Sequence, residues 1–196
     1  MVSAVLLAAG VSKRMGEPKL LLPLGNSTVV EQTIDNLLGS SVSEVIVVLG
    51  HKAEEMIKAI ANRPVKIVVN SVYHQGMSTS IITGISLVDS RARAIMLVLA
   101  DQPFIDSQTI NRLIEEFLNH DKGIAIPAHK GRRGHPIIFS MKYKGALLEL
   151  KGDIGGREVI RDYPDDILEV TVDTPSINID IDNMGDYQSH FNRFNS

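Results

Sequence analysis

The sequence predicts an α/β fold, and three observations lead there. Short, near-continuously apolar runs punctuate the chain: VSAVLLA, EVIVVLG, VKIVVN, AIMLVLA and GIAIPA. Runs of that kind mark strands covered on both faces, because a half-exposed strand alternates polar and apolar residues. Segments of helical period separate them: TVVEQTIDNLLGS, KAEEMIKAIA, STSIITGISLV and SQTINRLIEEFLNH. Strand-helix alternation builds a parallel sheet with right-handed crossovers and helices on both faces. The third observation is continuity: no linker, repeat or low-complexity stretch divides the 196 residues. The expectation is therefore one domain over residues 1–196, a Rossmann-like three-layer α/β/α arrangement with a mostly parallel sheet.

Each element has its own justification. The first run stops at Gly10, where a glycine-bearing loop begins. Thr28 with Glu31 three residues on is the signature of a capping box, so a helix starts there. Asp106 or Ser107 caps the helix that follows AIMLVLA. After about residue 130 the rhythm loosens. GHPIIFS reads as an antiparallel element, DILEVTV and INIDID as late strands, and GDYQSHFNRF as a closing helix.

Composition narrows the function classes. The net charge of -3 argues against broad electrostatic binding of nucleic acid. With no cysteine there is no disulfide, thiolate metal site or cysteine nucleophile, which fits a reducing compartment. The apolar start has no basic segment before it and reads as a core strand, not a signal peptide. No apolar run nears the roughly 18 residues that a membrane helix needs. The expected location is the cytoplasm, away from membranes.

In open parallel sheets, ligands bind beyond the carboxyl ends of the strands. The stretches to question are thus Gly10 to Lys19, Asn70 to Ser80, Asp101 to Pro103 and Asp180 to Asp182. The first gathers Lys13, Arg14 and Lys19 among Gly10, Gly16 and Pro18. It has neither the spacing of a Walker A loop nor a G-x-G-x-x-G fingerprint. Its glycines and cations are still the ingredients of a phosphate site, and three cations together favour that over a solvated turn. Asp101, at the end of a buried run, is either a turn aspartate or a ligand of a hydrated Mg²⁺; the neighbouring phosphate loop favours the metal. Read as a strand, NIDID turns Asn178, Asp180 and Asp182 to one face. It is then a solvent-facing edge, or the second wall of the metal site with Asp180 or Asp182 as ligand. GMSTS opens a helix either as a serine N-cap or as a cradle for a phosphate or ribose at Gly76 and Ser78. HKGRRGHP reads as a hairpin that can close over an anion, with His135 a ligand contact or a structural hydrogen-bonder.

These motifs carry a resemblance. LAAGVSKRMGEPKLLLPLG is similar to the signature loop of nucleotidyltransferases with a glycosyltransferase-A-like, or nucleotide-diphospho-sugar transferase, fold. Within these the chain most resembles the molybdenum cofactor cytidylyltransferases. YHQGMSTSIITGI, LADQPFI, GRRGHPIIF, GDIGGR and IDID resemble that family's later blocks in the same order. One departure is NMGD where the family usually continues T-P-x-D; Asp182 and Asp186 remain. Ala9 between Ala8 and Gly10 separates the chain from the guanylyltransferase branch, which usually reads L-A-G-G.

The resemblance implies transfer of CMP from CTP to the phosphate of molybdopterin or molybdenum cofactor, with pyrophosphate leaving. It implies Mg²⁺, with Mn²⁺ as a substitute, on Asp101 and on Asp180 or Asp182. Lys19 and Arg14 are expected, with Asp101, to act on the triphosphate. Leu7, Ala8, Ala9, Gly10, Ser12, Lys13, Gly76 and Ser78 are expected to hold the nucleotide, and Ser80, His135, Asp153 and Arg157 the acceptor. The implied partners are CTP, molybdopterin and a molybdenum hydroxylase that receives the product. A GTP-dependent guanylyltransferase and a non-catalytic cofactor chaperone are the alternatives.

Overall fold

The computed structural model describes residues 1–12, 15–16 and 18–194, apart from the side chains of residues 190 and 192–194. The chain runs β1 (Val2–Ala8), a 3-10 turn (Lys19–Leu21), the hairpin β2 (Pro23–Leu24) and β3 (Ser27–Thr28), then α1 (Val29–Leu38). There follow β4 (Glu44–Leu49), α2 (Ala53–Ile60), β5 (Lys66–Val69), a 3-10 turn (Tyr73–Gln75), α3 (Met77–Ile85) and β6 (Ala94–Leu99). The second half holds α4 (Ser107–Asn119), β7 (Ile124–His129), β8 (Arg132–Arg133), β9 (Ile137–Ser140), α5 (Lys144–Leu148), α6 (Arg157–Asp162), β10 (Ile167–Thr171) and α7 (Met184–Phe194).

Among the described residues eight strands form one sheet, in the order β10-β7-β9-β6-β1-β4-β5, with β8 paired to β7. All pairs from β6 through β5 are parallel, as is β10 with β7. β9 is inserted antiparallel between β6 and β7, as GHPIIFS predicts. The sheet is buried on both faces by alternation. Ala4, Leu6 and Ala8 of β1 pack into one core with α1 and α4. Val5 packs into the other with Ile81 and Ile85 of α3. β4 and β6 divide in the same way, so each strand is apolar throughout. α1 opens on the expected capping box: the Glu31 amide donates to Thr28 Oγ1, and the Thr28 amide donates to the Glu31 carboxylate at 2.7 Å. Asp106 caps α4.

Two expectations fail. VKIVVN is not covered on both faces: β5 is an edge strand, and Ile67 and Val69 are exposed. Nor is INIDID a strand. Pro175–Asn178 is a 3-10 turn, opened by Thr174, whose hydroxyl accepts the Ser176 amide. Proline at the first position removes a ladder donor and favours a turn. Beyond it, the Ile181 amide donates to the Asp101 carbonyl, which ties the segment to the end of β6.

The register aligns the carboxyl ends. Ala8 lies opposite Leu49, Leu7 opposite Leu99, and Leu49 opposite Val69. The chain leaves β1 toward β4 and β5, then crosses back through α3 to β6 on the other side of β1. That reversal is a topological switch point, where open α/β sheets leave a crevice.

Candidate nucleotide and metal site

A cleft of about 650 Å³ opens at this switch point. One wall is the chain after β1, from Leu7 to Val11, with Lys19 and Leu20. The other is the stretch Tyr73–Met77 with Ser80, Gly152 and Asp153; Asp101 closes the floor. Ala8 and Ala9 are buried, and the Ala9 carbonyl accepts the His51 amide at 3.2 Å. This bond pins the first wall to the end of β4. Lys13 and Arg14 lie outside the described residues. Ser12 serves the loop itself: its hydroxyl accepts the Lys19 amide at 3.1 Å and its carbonyl accepts the Met15 amide. Leu20, buried, anchors the 3-10 turn in the core and so fixes the base of Lys19.

The charged centre joins three segments. Lys19 Nζ lies 2.7 Å from Asp101 Oδ2 and 3.2 Å from Asp182 Oδ1. Burial alone pulls the Lys19 pKa down, but the Asp101 carboxylate first, and Asp182 next, outweigh it and hold it above its usual value. The lysine is therefore charged at neutral pH. Asp182 is positioned in turn by Asp186, whose carboxylate accepts the amides of Asp182 and Asn183 at the start of α7. The NMGD departure thus forms a reciprocal cap, in which the Asn183 side chain accepts the Asp186 amide and Asp186 accepts the Asn183 amide.

Asp180 stands differently. Its carboxylate accepts a short hydrogen bond from Gln102 Nε2. Burial raises its pKa, the neighbouring Asp101 and Asp182 add to this, and Gln102 and Lys19 oppose it. The structure therefore brings Asp182, and not Asp180, onto Lys19. Among the described residues no three His, Asp or Glu side chains converge closely enough to hold a metal alone. Asp101 and Asp182 nevertheless fit a hard cation: they supply carboxylate oxygens, and the lysine between them shows that the position takes a positive charge. Mg²⁺ characteristically uses one or two carboxylates and completes its shell with water and substrate phosphates.

The remaining expected residues fall into two groups. At the α3 N-terminus, the Met77 amide donates to Asp153 Oδ1 at 2.9 Å and the Ser78 amide to the Gly152 carbonyl at 3.1 Å. The predicted phosphate cradle at Gly76 and Ser78 is thus already filled by the loop 151–156, because the first helical donors must be satisfied somewhere. Ser78 is not a serine N-cap either. Asp153 is a helix cap here, and Ser80 Oγ accepts a hydrogen bond from Asn70 at 3.0 Å. His135 and Arg157 are not among the residues lining the cleft, and His135 lies close enough to feel the charges of both Arg157 and Asp101. The His135 amide donates to the Ile177 carbonyl. Burial first, and the Arg157 charge next, lower the His135 pKa to about 4, with Asp101 opposing, so its imidazole is neutral. The Arg157 side chain, exposed at the start of α6, makes no hydrogen bond or ion pair among the described residues.

Sequence reasoning missed three contributors. Gln102 is buried and orients Asp180, and its Oε1 has no partner among the described residues. A buried amide directly after a candidate ligand was the available signal. Tyr73 lines the second wall, stacking at a tilt on His51 with ring centroids 6.3 Å apart. Gly152 holds α3 through a carbonyl, which no side-chain pattern announces.

A doubly wound sheet with a lysine and paired carboxylates at its switch point defines a nucleotidyltransferase-like protein. The chain belongs to the family of MobA-like NTP transferase domains, which it matches over residues 4–177, and it is a nucleotidyltransferase. Three relatives place it within that family. It is 34% identical over 173 residues, 83% of each chain, to nicotine blue oxidoreductase of Paenarthrobacter nicotinovorans. It is 27% identical to molybdenum cofactor cytidylyltransferase of Escherichia coli K12, over 95% of this chain and 93% of that one. It is 28% identical to a probable molybdenum cofactor guanylyltransferase of Bacillus mycoides, over 67% and 64%. Among solved structures, a nucleotidyl transferase from Methanothermobacter superposes with a TM-score of 0.85 at 28% identity, covering 99% and 97%. A Mycobacterium tuberculosis protein crystallised with manganese superposes with a TM-score of 0.84 at 29% identity, covering 97% of each chain.

Proposed function

We propose that this protein transfers CMP from CTP to the terminal phosphate of molybdopterin or molybdenum cofactor and releases pyrophosphate. The observation that carries the reading is the Lys19–Asp101–Asp182 centre on the floor of the cleft below Ala8, Ala9 and Gly10. A Cβ built on Gly10 meets no protein atom within 4 Å. Glycine there is not required by internal packing, which suits close approach of a ligand to the backbone. The relatives named for molybdenum cofactor supply the acceptor class.

The reaction needs little proton chemistry. An acceptor phosphate oxygen attacks the α-phosphorus of the triphosphate, the new P–O bond forms, and the bond to the pyrophosphate oxygen breaks. The acceptor is an anion near neutral pH and needs no general base. The barrier lies in bringing two anions together and in charge growing on the leaving pyrophosphate. Lys19 and Arg14 neutralise the triphosphate, and the Leu7–Ser12 segment with Lys13 seats the nucleotide. Asp101 and Asp182 would hold Mg²⁺ or Mn²⁺, with Asp180, bonded to Gln102, near enough to feel both charges. Such an ion supplies charge neutralisation and orientation of phosphate oxygens. His135, neutral, and Arg157, which lacks an ion-pair partner among the described residues, would receive the anionic acceptor beyond Asp101. A molybdenum hydroxylase would take the product.

A guanylyl transfer reading has one specific support, the relative named probable guanylyltransferase. One experiment addresses both. Purified protein is given CTP, GTP, ATP or UTP with molybdopterin and Mg²⁺, and pyrophosphate is followed. CTP-dependent release supports the proposal, and GTP-dependent release moves the protein to the guanylyl branch. No release with any nucleotide removes the catalytic reading and leaves a cofactor-carrying role.

A further inference from the structure

The acidic pair on the cleft floor is already bridged by a cation of the protein itself. Lys19 Nζ bridges Asp101 Oδ2 at 2.7 Å and Asp182 Oδ1 at 3.2 Å. The two aspartates reach this point from separate places in the chain, the end of β6 and the segment before α7. A divalent ion shared by these carboxylates would lie next to the ammonium, and the repulsion between the two cations at short range weakens its binding while the ammonium remains. Asp180 lies off this bridge, its carboxylate bonded to the Gln102 amide. Lys19 is also built to leave. Its backbone is fixed by the Ser12 hydroxyl and by buried Leu20, whereas its ammonium ends a flexible four-carbon stem at the cleft surface.

We propose that Lys19 is a stand-in cation. In the free protein it holds the divalent-ion position between Asp101 and Asp182, and it vacates that position when a nucleoside triphosphate draws the ammonium onto its phosphates. The ion therefore enters with the nucleotide, and Lys19 keeps the nucleotide-free protein from retaining one. This rests on the nucleotidyltransferase reading for the identity of the ligand that moves Lys19. The arrangement also explains how two carboxylates stay close together without an ion, since unpaired like charges at that distance are destabilising.

The test uses Mn²⁺ as the probe and needs no turnover. Mn²⁺ is titrated, by calorimetry and by the electron paramagnetic resonance of the free ion, into nucleotide-free wild type, Lys19→Met and Lys19→Gln. Lys19→Gln retains hydrogen-bonding capacity toward the carboxylates without the charge, so it serves if Lys19→Met folds poorly. Both variants are expected to bind Mn²⁺ about tenfold or more tighter than wild type, because a neighbouring positive charge has been removed. Adding Asp101→Asn to either variant returns the binding to wild-type weakness. Mn²⁺ also raises the melting temperature of the variants more than that of wild type. Equal Mn²⁺ affinity in all three proteins overturns the stand-in role, and the functional reading survives if CTP-dependent pyrophosphate release still requires Asp101. Tight Mn²⁺ binding that ignores Asp101→Asn also overturns it, since the ion then sits elsewhere. If the variants bind Mn²⁺ tightly through Asp101 but wild type releases no pyrophosphate with any nucleotide, the stand-in cation stands and the proposed reaction falls.

Discussion

Lys19 touches two carboxylates in the free protein and, in the proposed reaction, the triphosphate. Lys19→Ala should therefore cost transition-state stabilisation of about 3 kcal/mol, the loss expected for one preorganised donor at developing charge. That is a fall of two to three orders of magnitude in kcat/KM for CTP. Asp101→Ala should abolish transfer while the circular dichroism spectrum and melting behaviour stay native-like; near wild-type turnover at saturating Mg²⁺ would remove Asp101 from the site. Base choice is a separate matter of the first wall. Ala9 is buried and its carbonyl is held by the His51 amide, so the wall is a fixed backbone edge. Ala9→Gly removes a methyl group and loosens that edge. The expected result is a lower CTP/GTP ratio of kcat/KM than in wild type, because a backbone edge matched to cytosine leaves groups unpaired against a purine. An unchanged ratio would put base selection elsewhere in the chain. Lys19 was legible as one of three cations gathered on the glycine-bearing loop after the first strand, and Asp101 and Asp182 because they follow an apolar run and an isoleucine-rich stretch, where a charge needs a reason. Which aspartate meets the lysine was not legible, since that depends on the Gln102 amide and the Asp186 cap, contacts made only in three dimensions.

At the scale of elements, α3 shows how the second wall of the cleft is built. Gly76 precedes it with φ of +113°, and a Cβ there would lie 2.5 Å from the Gly152 carbonyl. Gly76→Ala should strain the turn and push the loop 151–156 off the helix, freeing the amides of Met77 and Ser78. The measurement is limited proteolysis of the loop, with faster cleavage than wild type expected; an unchanged rate would mean the turn absorbs the methyl group. Farther along, a Cβ on Gly84 would meet Val5 Cγ1 at 2.3 Å and Val48 Cγ2 at 2.8 Å. The helix therefore sits directly on β1 and β4. Gly84→Ala gains about 1 kcal/mol of helix propensity but loses about 1–3 kcal/mol to overpacking. Chemical denaturation should show net destabilisation; a stabilised variant would mean that α3 shifts on the sheet at little cost. Most elements were legible because both faces of the central strands are buried, which makes β1, β4 and β6 apolar from end to end. The exceptions have physical causes. β5 carries the same apolar residues at an exposed edge, and INIDID alternates like a strand but begins inside a proline-led turn and has no ladder partner among the described residues. Alternation in sequence reports which side chains are buried, and it does not report whether a neighbouring strand is present.

Across the whole molecule, the two ends of the sheet respond to acid for different reasons. At the end away from the cleft, Glu44 joins three elements. It accepts Ser3 Oγ at 2.5 Å and the Asp89 amide at 2.9 Å, and it pairs with Lys66 at 2.7 Å. Burial alone would raise its pKa, but Lys66 first, then Ser3 and the Asp89 amide, bring it below the usual carboxylate value. A depressed folded pKa means that this contribution is complete above the unfolded value of 4.5 and is lost as pH falls through the folded one. His135, which feels the charges of Arg157 and Asp101, behaves differently. Its folded pKa of about 4 lies below the unfolded 6.5, so between those values the unfolded chain takes up a proton that the folded protein refuses. Stability therefore declines first between pH 6.5 and about 4 through His135, and then below about 4.5 through Glu44. Urea unfolding at pH 7.5, 5.5 and 4 separates the two. His135→Gln should flatten the decline between pH 7.5 and 5.5, whereas Glu44→Gln should lower stability at pH 7.5 and leave that upper segment as steep as in wild type. If His135→Gln retains the full wild-type slope above pH 5.5, the imidazole is accessible enough to take its proton in the folded state. Its neutral role beside the proposed acceptor would then have to be abandoned.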